Sequence, residues 1–249
     1  MNDARRRRHA PPPLHRDHAL FLDFDGTLVE IAPGPGLVRV PAELPALLDE
    51  LADRLGGAIA VVSGRPADEL ARMLAPFAGG IAGDHGLERR YGGGKVTRCL
   101  THPELDRYRP LVADFAARHE GVLIEDKGGS LALHYRQAPS LGQRCRAIVE
   151  QAAQASNGAL AAMGGKMVIE LVPRSAGKGR AITDFLADAP FRGRLPVFIG
   201  DDTTDEDGFA VVNRLGGISV HVGGGATIAH YNLAAVPDVL TWLDRGLAN

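Results

Sequence analysis

The chain has 249 residues, enough for one large domain or two small ones with a buried core. Hydrophobic residues make up 45% and charged residues 23%, which excludes a chain that is disordered throughout. Because 28 basic residues are balanced by 30 acidic ones, a nucleic-acid partner is not expected. Apolar runs stay shorter than the about 18 residues that a membrane span needs, so a membrane partner is not expected either.

The first 18 residues contain five arginines, two acidic residues and the prolines at 11–13, with no apolar stretch. A secretory signal needs an apolar segment after its basic start, so we predict a disordered basic tail over residues 1–18 instead. The two cysteines, Cys99 and Cys145, lack the spacing of a zinc site. Reduced thiols of this kind are typical of a cytoplasmic protein.

Buried apolar strands alternate with helical patterns near both ends of the chain. The strands are predicted at 19–23, 58–62, 80–82, 196–200 and 218–222, and the helices at 41–55, 66–74, 181–186, 209–215 and 238–244. Unbroken apolar strands that alternate with helices predict a parallel sheet covered on both faces. The fold class is therefore α/β, with a Rossmann-like core formed by residues 19–101 and 175–249.

The middle of the chain, residues 102–174, has a different pattern. Its strands alternate in polarity, and the order is helix (104–119), strand (122–126), strand (130–136), helix (141–155), strand (159–163) and strand (166–171). Two helix–strand–strand units predict an α+β cap with one apolar face, inserted into the core. We expect the whole protein to be a monomer.

Acidic residues follow two of the predicted core strands. Asp23 and Asp25 lie in the sequence DFDGTL after the first strand, and Asp201 and Asp205 lie in GDDTTDE after another. An open parallel sheet places its ligands at the carboxyl ends of its strands. Buried carboxylates need a compensating cation, and all-oxygen ligands suit Mg²⁺. Taken singly, the first motif can be a capped turn and Asp201 a helix cap.

Two further residues have the chemistry of an anion site. Ser63 comes at the end of the second strand and the start of a helix, where a hydroxyl and backbone amides can hold an anion. Lys178, in the sequence GKG, can face a phosphate. Alone, Ser63 can be a helix cap and Lys178 a surface lysine, and only their order with the acidic motifs favours a functional role.

These four motifs, in this order, resemble those of the haloacid dehalogenase superfamily of phosphatases. The resemblance implies that Asp23 is the nucleophile and forms an aspartyl-phosphate. It implies that Asp25 protonates the leaving oxygen and then activates water, with Thr27 helping to orient Asp25. It also implies that Ser63 and Lys178 hold the phosphoryl oxygens. The Mg²⁺ ligands would be the Asp23 carboxylate, the Asp25 backbone carbonyl and Asp201, with Asp205 in support.

The inserted segment narrows the resemblance to the trehalose-6-phosphate phosphatases. The stretches that carry it are 84–88 (DHGLE), 125–127 (EDK), 133–136 (LHYR), 165–170 (GKMVIE) and 177–179 (GKG). The family implies hydrolysis of trehalose 6-phosphate to trehalose and phosphate, in trehalose biosynthesis. The alternatives are a phosphatase for sucrose 6-phosphate or a mannosyl phosphate, a phosphotransferase such as a mutase, and a non-catalytic sugar-phosphate sensor.

Side chains two apart on a strand share a face, so the cap strands should present one polar face to the core. That face would hold a sugar, whose many hydroxyls suit charged donors and acceptors. Alternatively, the same face can be solvated and its charges paired across strands, and His85 can belong to a polar loop. The candidate substrate-binding residues are Arg65, His85, Glu125, Lys127, His134, Arg136, Lys166 and Glu170.

Overall fold

The computed structural model describes residues 9–32, 35–91, 94, 97–98, 103–165 and 167–248. The strands are β1 His18–Leu22, β2 Ile59–Val62, β3 Gly80–Gly83, β4 Glu88–Arg90, β5 Thr97–Arg98, β6 Leu123–Asp126, β7 Leu131–His134, β8 Leu160–Gly165, β9 Val168–Pro173, β10 Leu195–Gly200, β11 Ile218–Val222 and β12 Tyr231–Leu233. The helices are α1 Leu44–Arg54, α2 Ala67–Met73, α3 Pro103–Ala117, α4 Gly142–Ala155, α5 Lys178–Leu186, α6 Glu206–Arg214 and α7 Val236–Ala248.

The core is an eight-stranded sheet in the order β12-β11-β10-β1-β2-β3-β4-β5. The six strands from β12 to β3 are parallel, and β4 and β5 continue the sheet in antiparallel pairing. In the centre, Leu22 of β1 pairs with Ile199 of β10 and Val61 of β2. The carboxyl ends of β10, β1 and β2 are therefore neighbours at one edge of the sheet.

Alternate residues of the central strand enter two separate apolar layers. Leu20 and Leu22 belong to the layer that contains Leu48 of α1, whereas Phe21 lies in the opposite layer with Phe185 of α5. Apart from the first residues of β1 and β10, the polar His18 and the exposed Leu195, these strands and β2 are buried on both faces, which explains their apolar sequences. The predicted Rossmann-like α/β core is confirmed.

The second unit, Pro103–Pro173, is called the cap below. Its antiparallel sheet has the order β6-β7-β9-β8, and α3 and α4 cover one face. Leu131 and Leu133 pack with Ile169 and Leu171 in this apolar layer, as the alternating pattern predicts. The opposite face of the sheet carries the polar side chains and is turned toward the core.

Three short strands, β4, β5 and β12, were not predicted from the sequence. They have three, two and three residues, and β4 is made of Glu88, Arg89 and Arg90. An edge strand of this length lacks the apolar run by which the central strands can be recognised.

The predicted disordered tail is wrong for residues 9–18. Leu14 is buried in the core, and Trp242 Nε1 of α7 donates a hydrogen bond of 3.2 Å to the Pro12 carbonyl. The His9 carbonyl accepts from Asn232 N at 3.2 Å, and His18 already belongs to β1. This segment therefore packs along α7 and β12, while residues 1–8 lie outside the described part of the chain.

Two other sequence predictions concern residues outside the described part, namely Cys99 and Lys166. Cys145 is a buried free cysteine in the apolar layer of the cap. Within the described ranges, none of the helices combines the length and apolar character needed to cross a membrane.

Candidate active site

Three predicted site residues follow adjacent strands of the core. Asp23 follows β1, Ser63 follows β2 and Asp201 follows β10. Asp23 and Ser63 are buried, and Asp23 N donates a hydrogen bond of 2.9 Å to the Ile199 carbonyl of β10. The parallel pairing thus brings together side chains that are far apart in the sequence.

The turn after β1 depends on a glycine. Gly26 has a φ of +87°, and a Cβ atom at this position would lie 2.2 Å from Asp201 Oδ2. Its N–H donates to the Val29 carbonyl at 2.7 Å, which closes the turn. Only glycine combines this left-handed backbone with the space that Asp201 needs beside Asp23 and Asp25.

A buried lysine joins two of the acidic residues. Lys178, the first residue of α5, places Nζ 2.7 Å from Asp23 Oδ1 and 2.6 Å from Asp205 Oδ1. Burial raises the pKa of Asp23 to about 7, and the charge of Lys178 opposes that rise. Burial alone lowers the pKa of Lys178, but Asp205 and Asp23 raise it above its ordinary value. The ammonium therefore compensates two buried carboxylates.

Asp23, Asp201 and Asp205 each offer an oxygen, and these three atoms lie within 4.8 Å of one another. The second oxygen of Asp205 accepts the N–H groups of Asp201 at 3.0 Å and Asp202 at 2.9 Å, which fixes the loop after β10. This all-oxygen donor set fits a hard divalent cation. The predicted contribution of the Asp25 backbone carbonyl stays a prediction.

The carboxylate of Asp25 is held by Arg65. Arg65 Nε lies 2.6 Å from Asp25 Oδ2 and Nη2 lies 2.9 Å from Oδ1, a bidentate ion pair. The same guanidinium contacts Glu69 Oε1 at 2.5 Å. Glu69 was not predicted from the sequence, although it lies four residues after Arg65 in the first turn of α2, a spacing at which side chains pair.

Thr27 and Ser63 support the site differently from each other. Thr27 Oγ1 donates to Asp23 Oδ2 at 3.2 Å, and its predicted help in orienting Asp25 stays a prediction. The tight turn after β1 directs the hydroxyl back toward Asp23. Ser63 Oγ accepts the Arg65 N–H at 3.2 Å and lies on the wall of the cleft described below.

The cap contributes a buried charged pair at the boundary with the core. Lys127 Nζ donates to the Gly64 carbonyl of the core at 2.9 Å and to Glu170 Oε1 at 3.1 Å. His85 Nε2 of the core lies 3.3 Å from Glu170 Oε2. Burial alone raises the pKa of Glu170, but His85 and Lys127 together lower it to about 2. Glu170 is therefore ionised at neutral pH.

Two more predicted residues pair with each other on the same face of the cap sheet. His134 Nε2 lies 2.8 Å from Glu125 Oε2. Glu125 and Glu170 both pair in register with Ala132 of β7, so the two carboxylates flank a small residue on one face. Arg136 is exposed and lines the outer part of the cleft beside Met167.

Core and cap enclose a cleft made of two adjoining cavities of about 220 Å³ each. Asp25, Arg65 and His134 line both cavities, so they form one continuous space. The inner cavity contains Asp23 and Lys178 at its base and Lys127 on its cap side. A base with one ammonium and an oxygen donor set that suits a divalent cation, below a polar cap wall, can accept a phosphate ester with its organic part toward the cap.

An aspartate and an acidic cluster at the ends of parallel strands, beneath an inserted cap, define a haloacid dehalogenase-like hydrolase. Solved structures share this fold. The C-terminal domain of Candida albicans trehalose-6-phosphate phosphatase aligns with a TM-score of 0.80 over 96% of this chain and 99% of that one, at 22% identity. A haloacid dehalogenase-like hydrolase from Bacteroides thetaiotaomicron aligns with a TM-score of 0.66 over 91% and 98%, at 15% identity.

Sequence comparison narrows the class to one family. The trehalose-phosphatase family model matches residues 21–235. The trehalose-6-phosphate phosphatase of Escherichia coli K12 is 44% identical over 94% of this chain and 88% of its own length. A probable trehalose-phosphate phosphatase of Sinorhizobium fredii is 44% identical over 82% and 77%. The chain belongs to the trehalose-phosphatase family, which confirms the resemblance found in its sequence.

Proposed function

We propose that this protein hydrolyses trehalose 6-phosphate to trehalose and inorganic phosphate, with Mg²⁺, in trehalose biosynthesis. The observation that carries the proposal is the arrangement of one cleft: Asp23 and Lys178 lie at its base, and Lys127 and Glu170 lie on its cap side. The names of the 44% identical relatives support the substrate. The reaction takes place within a single chain, and the proposed location is the cytoplasm.

Asp23 is the proposed nucleophile. One of its oxygens attacks phosphorus while the bond from phosphorus to the sugar oxygen breaks, and that bonding pair stays on the leaving oxygen. The phosphoryl group is then bonded to Asp23. Water attacks phosphorus in the second step, which releases phosphate and restores the carboxylate. The Lys178 ammonium balances the charge on the phosphoryl oxygens, and the Ser63 hydroxyl helps to hold them. Positioning and charge balance contribute most of the catalysis in this type of reaction.

Asp25 is the proposed acid and base. It gives its proton to the leaving sugar oxygen in the first step and takes one from the attacking water in the second. Both of its oxygens face Arg65 in the structure. A guanidinium on both oxygens disfavours the protonated acid, so the proposal includes a movement of Arg65 toward the dianionic phosphate of the substrate. Glu69 offers the guanidinium a second partner during this movement.

The acidic cluster is the proposed Mg²⁺ site, with Asp23 and Asp201 as side-chain ligands and the Asp25 carbonyl as a backbone ligand. When bound, Mg²⁺ would neutralise charge on the phosphoryl group. Asp205 would act in support, because its oxygens are engaged by Lys178 and by the loop N–H groups.

The polar face of the cap is the proposed sugar site. The phosphate end occupies the core, so selection among sugar phosphates must depend on groups that reach the rest of the sugar. A buried charge that the wrong sugar leaves unpaired reduces kcat/KM by about tenfold or more. The residues proposed for this role are Glu125, Lys127, His134, Arg136, Lys166 and Glu170, with His85 supporting Glu170 from the core.

The test is phosphate release from a panel of esters: trehalose 6-phosphate, sucrose 6-phosphate, a mannosyl phosphate and p-nitrophenyl phosphate. We expect the highest kcat/KM with trehalose 6-phosphate. Lys127→Ala and Glu170→Ala should lose at least tenfold with that ester and little with p-nitrophenyl phosphate. Arg107→Ala, on the exposed side of α3, is the matched control. A higher kcat/KM with another sugar phosphate would refute trehalose 6-phosphate as the substrate. Absence of phosphate release from every ester would refute the phosphatase activity.

A further inference from the structure

We infer that Asp84 of the core is a positioning residue that seats the cap by binding Ser130, and thereby sets the place of Lys127 in the cleft. This inference deepens the proposed function and rests on it, because it concerns how the sugar-facing residues are held. Neither Asp84 nor Ser130 lines the cleft. No role was predicted for either residue from the sequence.

The contact between Asp84 and Ser130 joins the two units of the protein. Ser130 Oγ donates a hydrogen bond of 2.5 Å to Asp84 Oδ1. Relative exposure is 1% for Asp84 and 0% for Ser130, so water does not compete for the bond. A hydrogen bond to a buried charged group contributes more than an exposed one. The pair is therefore a specific attachment of cap to core.

The attachment is transmitted to Lys127 by a tight turn. Residues 127–130 connect β6 to β7, and Lys127 N donates to the Ser130 carbonyl at 3.1 Å. Lys127 and Ser130 are thus the two ends of one four-residue turn. The first end carries the ammonium that contacts Gly64 and Glu170, and the other end is bound by Asp84. A displacement of Ser130 would displace Lys127.

The turn is built for close approach to Asp84. A Cβ atom on Gly129 would lie 2.8 Å from Asp84 Oδ2, which is too short for a side chain at this position. Glycine at 129 thus lets the turn rest directly against the carboxylate. This observation is independent of the hydrogen bond and points to the same surface.

Asp84 is itself held firmly by the core. It has a φ of +45°, in the left-handed region that a non-glycine residue adopts only when its surroundings hold it there. Asp84 N donates to the Arg65 carbonyl at 2.9 Å, and His85 N donates to the Ser63 carbonyl at 3.1 Å. Asp84 is therefore bonded to the loop that carries Ser63, a proposed phosphate-binding residue. The same core residue thus contacts both this loop and the cap.

The first test replaces the donor. Ser130→Ala should raise KM for trehalose 6-phosphate about tenfold, the factor expected for a hydrogen bond to a charged group. Its kcat and KM for p-nitrophenyl phosphate, which is too small to need the cap, should stay within about twofold. Ser140→Ala, an exposed serine of the same unit, is the matched control and should change neither substrate.

The second test replaces the acceptor. Asp84→Asn keeps an oxygen for Ser130 and should retain most of the wild-type KM, whereas Asp84→Leu should match Ser130→Ala. The Asp84→Leu/Ser130→Ala double variant should be no worse than either single variant, because both remove one contact. If Asp84→Leu does not fold, the comparison of Ser130→Ala with Ser140→Ala tests the inference instead.

Two results would overturn the inference. One is a Ser130→Ala variant with the wild-type KM for trehalose 6-phosphate, and the other is an equal loss with both substrates, which indicates a purely structural role. A wild-type protein that prefers another sugar phosphate contradicts the proposed function alone. The same Ser130→Ala comparison is then made with that ester.

Discussion

Lys178 Nζ lies 2.7 Å from Asp23 Oδ1, although 155 positions separate the two residues. Asp23 follows β1 in the core sheet, and Lys178 is the first residue of α5, the core helix that comes after the cap along the chain. The ammonium reaches Asp205 Oδ1 at 2.6 Å as well, so one buried cation lies between two buried acids. The sequence between Asp23 and Lys178 contains the core elements from α1 to β5 as well as the whole cap, and the fold brings the two residues back together.

Replacement of Lys178 should damage both stability and activity. Lys178→Met leaves Asp23 and Asp205 buried without their cation, and we expect the free energy of unfolding to fall by about 3–5 kcal/mol. Turnover of p-nitrophenyl phosphate should fall by about a hundredfold or more, as for a lost transition-state charge.

The control for this prediction is Arg180→Met, an exposed arginine on the same helix whose side chain is 62% exposed. Urea unfolding and steady-state kinetics are the measurements. Addition of Asp23→Asn to Lys178→Met should restore part of the stability, because it removes one of the opposed charges. A stable and active Lys178→Met variant would contradict the role of the lysine.

Glu69→Gln should slow the chemical step. Glu69 competes with Asp25 for the guanidinium of Arg65, so its neutralisation leaves Arg65 more firmly on Asp25. A partly exposed ion pair of this type is worth up to about 1 kcal/mol, which corresponds to about fivefold in kcat. Steady-state kinetics with trehalose 6-phosphate test this, with Asp68→Asn on the same helix turn as the control. An unchanged or higher kcat refutes the proposed competition.

Glu170 should make stability depend on acidic pH. Its pKa lies at about 2 in the folded protein, well below the ordinary value of 4.5, so its ionised form stabilises the fold above about pH 4.5. That contribution is lost as the pH falls from about 4.5 toward 2, and it amounts to roughly 3 kcal/mol.

The measurement is urea unfolding of the wild type and of Glu170→Gln at a series of pH values from about 3 to about 7. The wild type should be more stable than Glu170→Gln near pH 7, and the gap should narrow toward pH 3. Asp244→Asn, at an exposed acid of α7, should show a small gap that does not vary with pH. A constant gap for Glu170→Gln would mean that Lys127 and His85 do not stabilise its charge.

The segment before β1 should contribute to stability and leave catalysis alone. Leu14 is buried against the core, so Leu14→Ala should lower the free energy of unfolding by about 2–5 kcal/mol. Deletion of residues 2–16 should cost at least as much, and deletion of residues 2–8 should serve as the control with little effect. Thermal unfolding and kcat/KM are the readouts. Unchanged stability without residues 2–16 would mean that this packing is unimportant.

The sequence was most informative where buried residues recur at the regular spacing of a strand or helix. Continuous apolar strands identified the parallel core, and the alternation in the cap predicted a polar face, where Glu125 and Glu170 lie in register with Ala132. Acids after β1 and β10 predicted a cluster, because parallel strands end at one edge. The physical rule in each case involves neighbours along a strand or at equivalent strand ends.

Contacts that depend on the detailed geometry of side chains could not be predicted from the sequence. No pattern indicated that Arg65 would bind both oxygens of Asp25, 40 positions away, or that Thr27 would contact Asp23. The packing of Leu14 was missed because a few apolar residues among prolines and arginines carry no periodicity. The bond between Asp84 and Ser130 depends on how the cap sits on the core, which only the three-dimensional structure shows.

The most direct test of the proposed mechanism is to trap the phosphoryl group. Asp25→Asn protein is mixed with trehalose 6-phosphate and Mg²⁺, quenched in acid and digested, and the peptides are analysed by mass spectrometry. We predict one added phosphoryl group on the peptide that contains Asp23, and none in the Asp23→Asn/Asp25→Asn double variant. A phosphoryl group on another residue, or the same labelling without Asp23, would contradict Asp23 as the nucleophile.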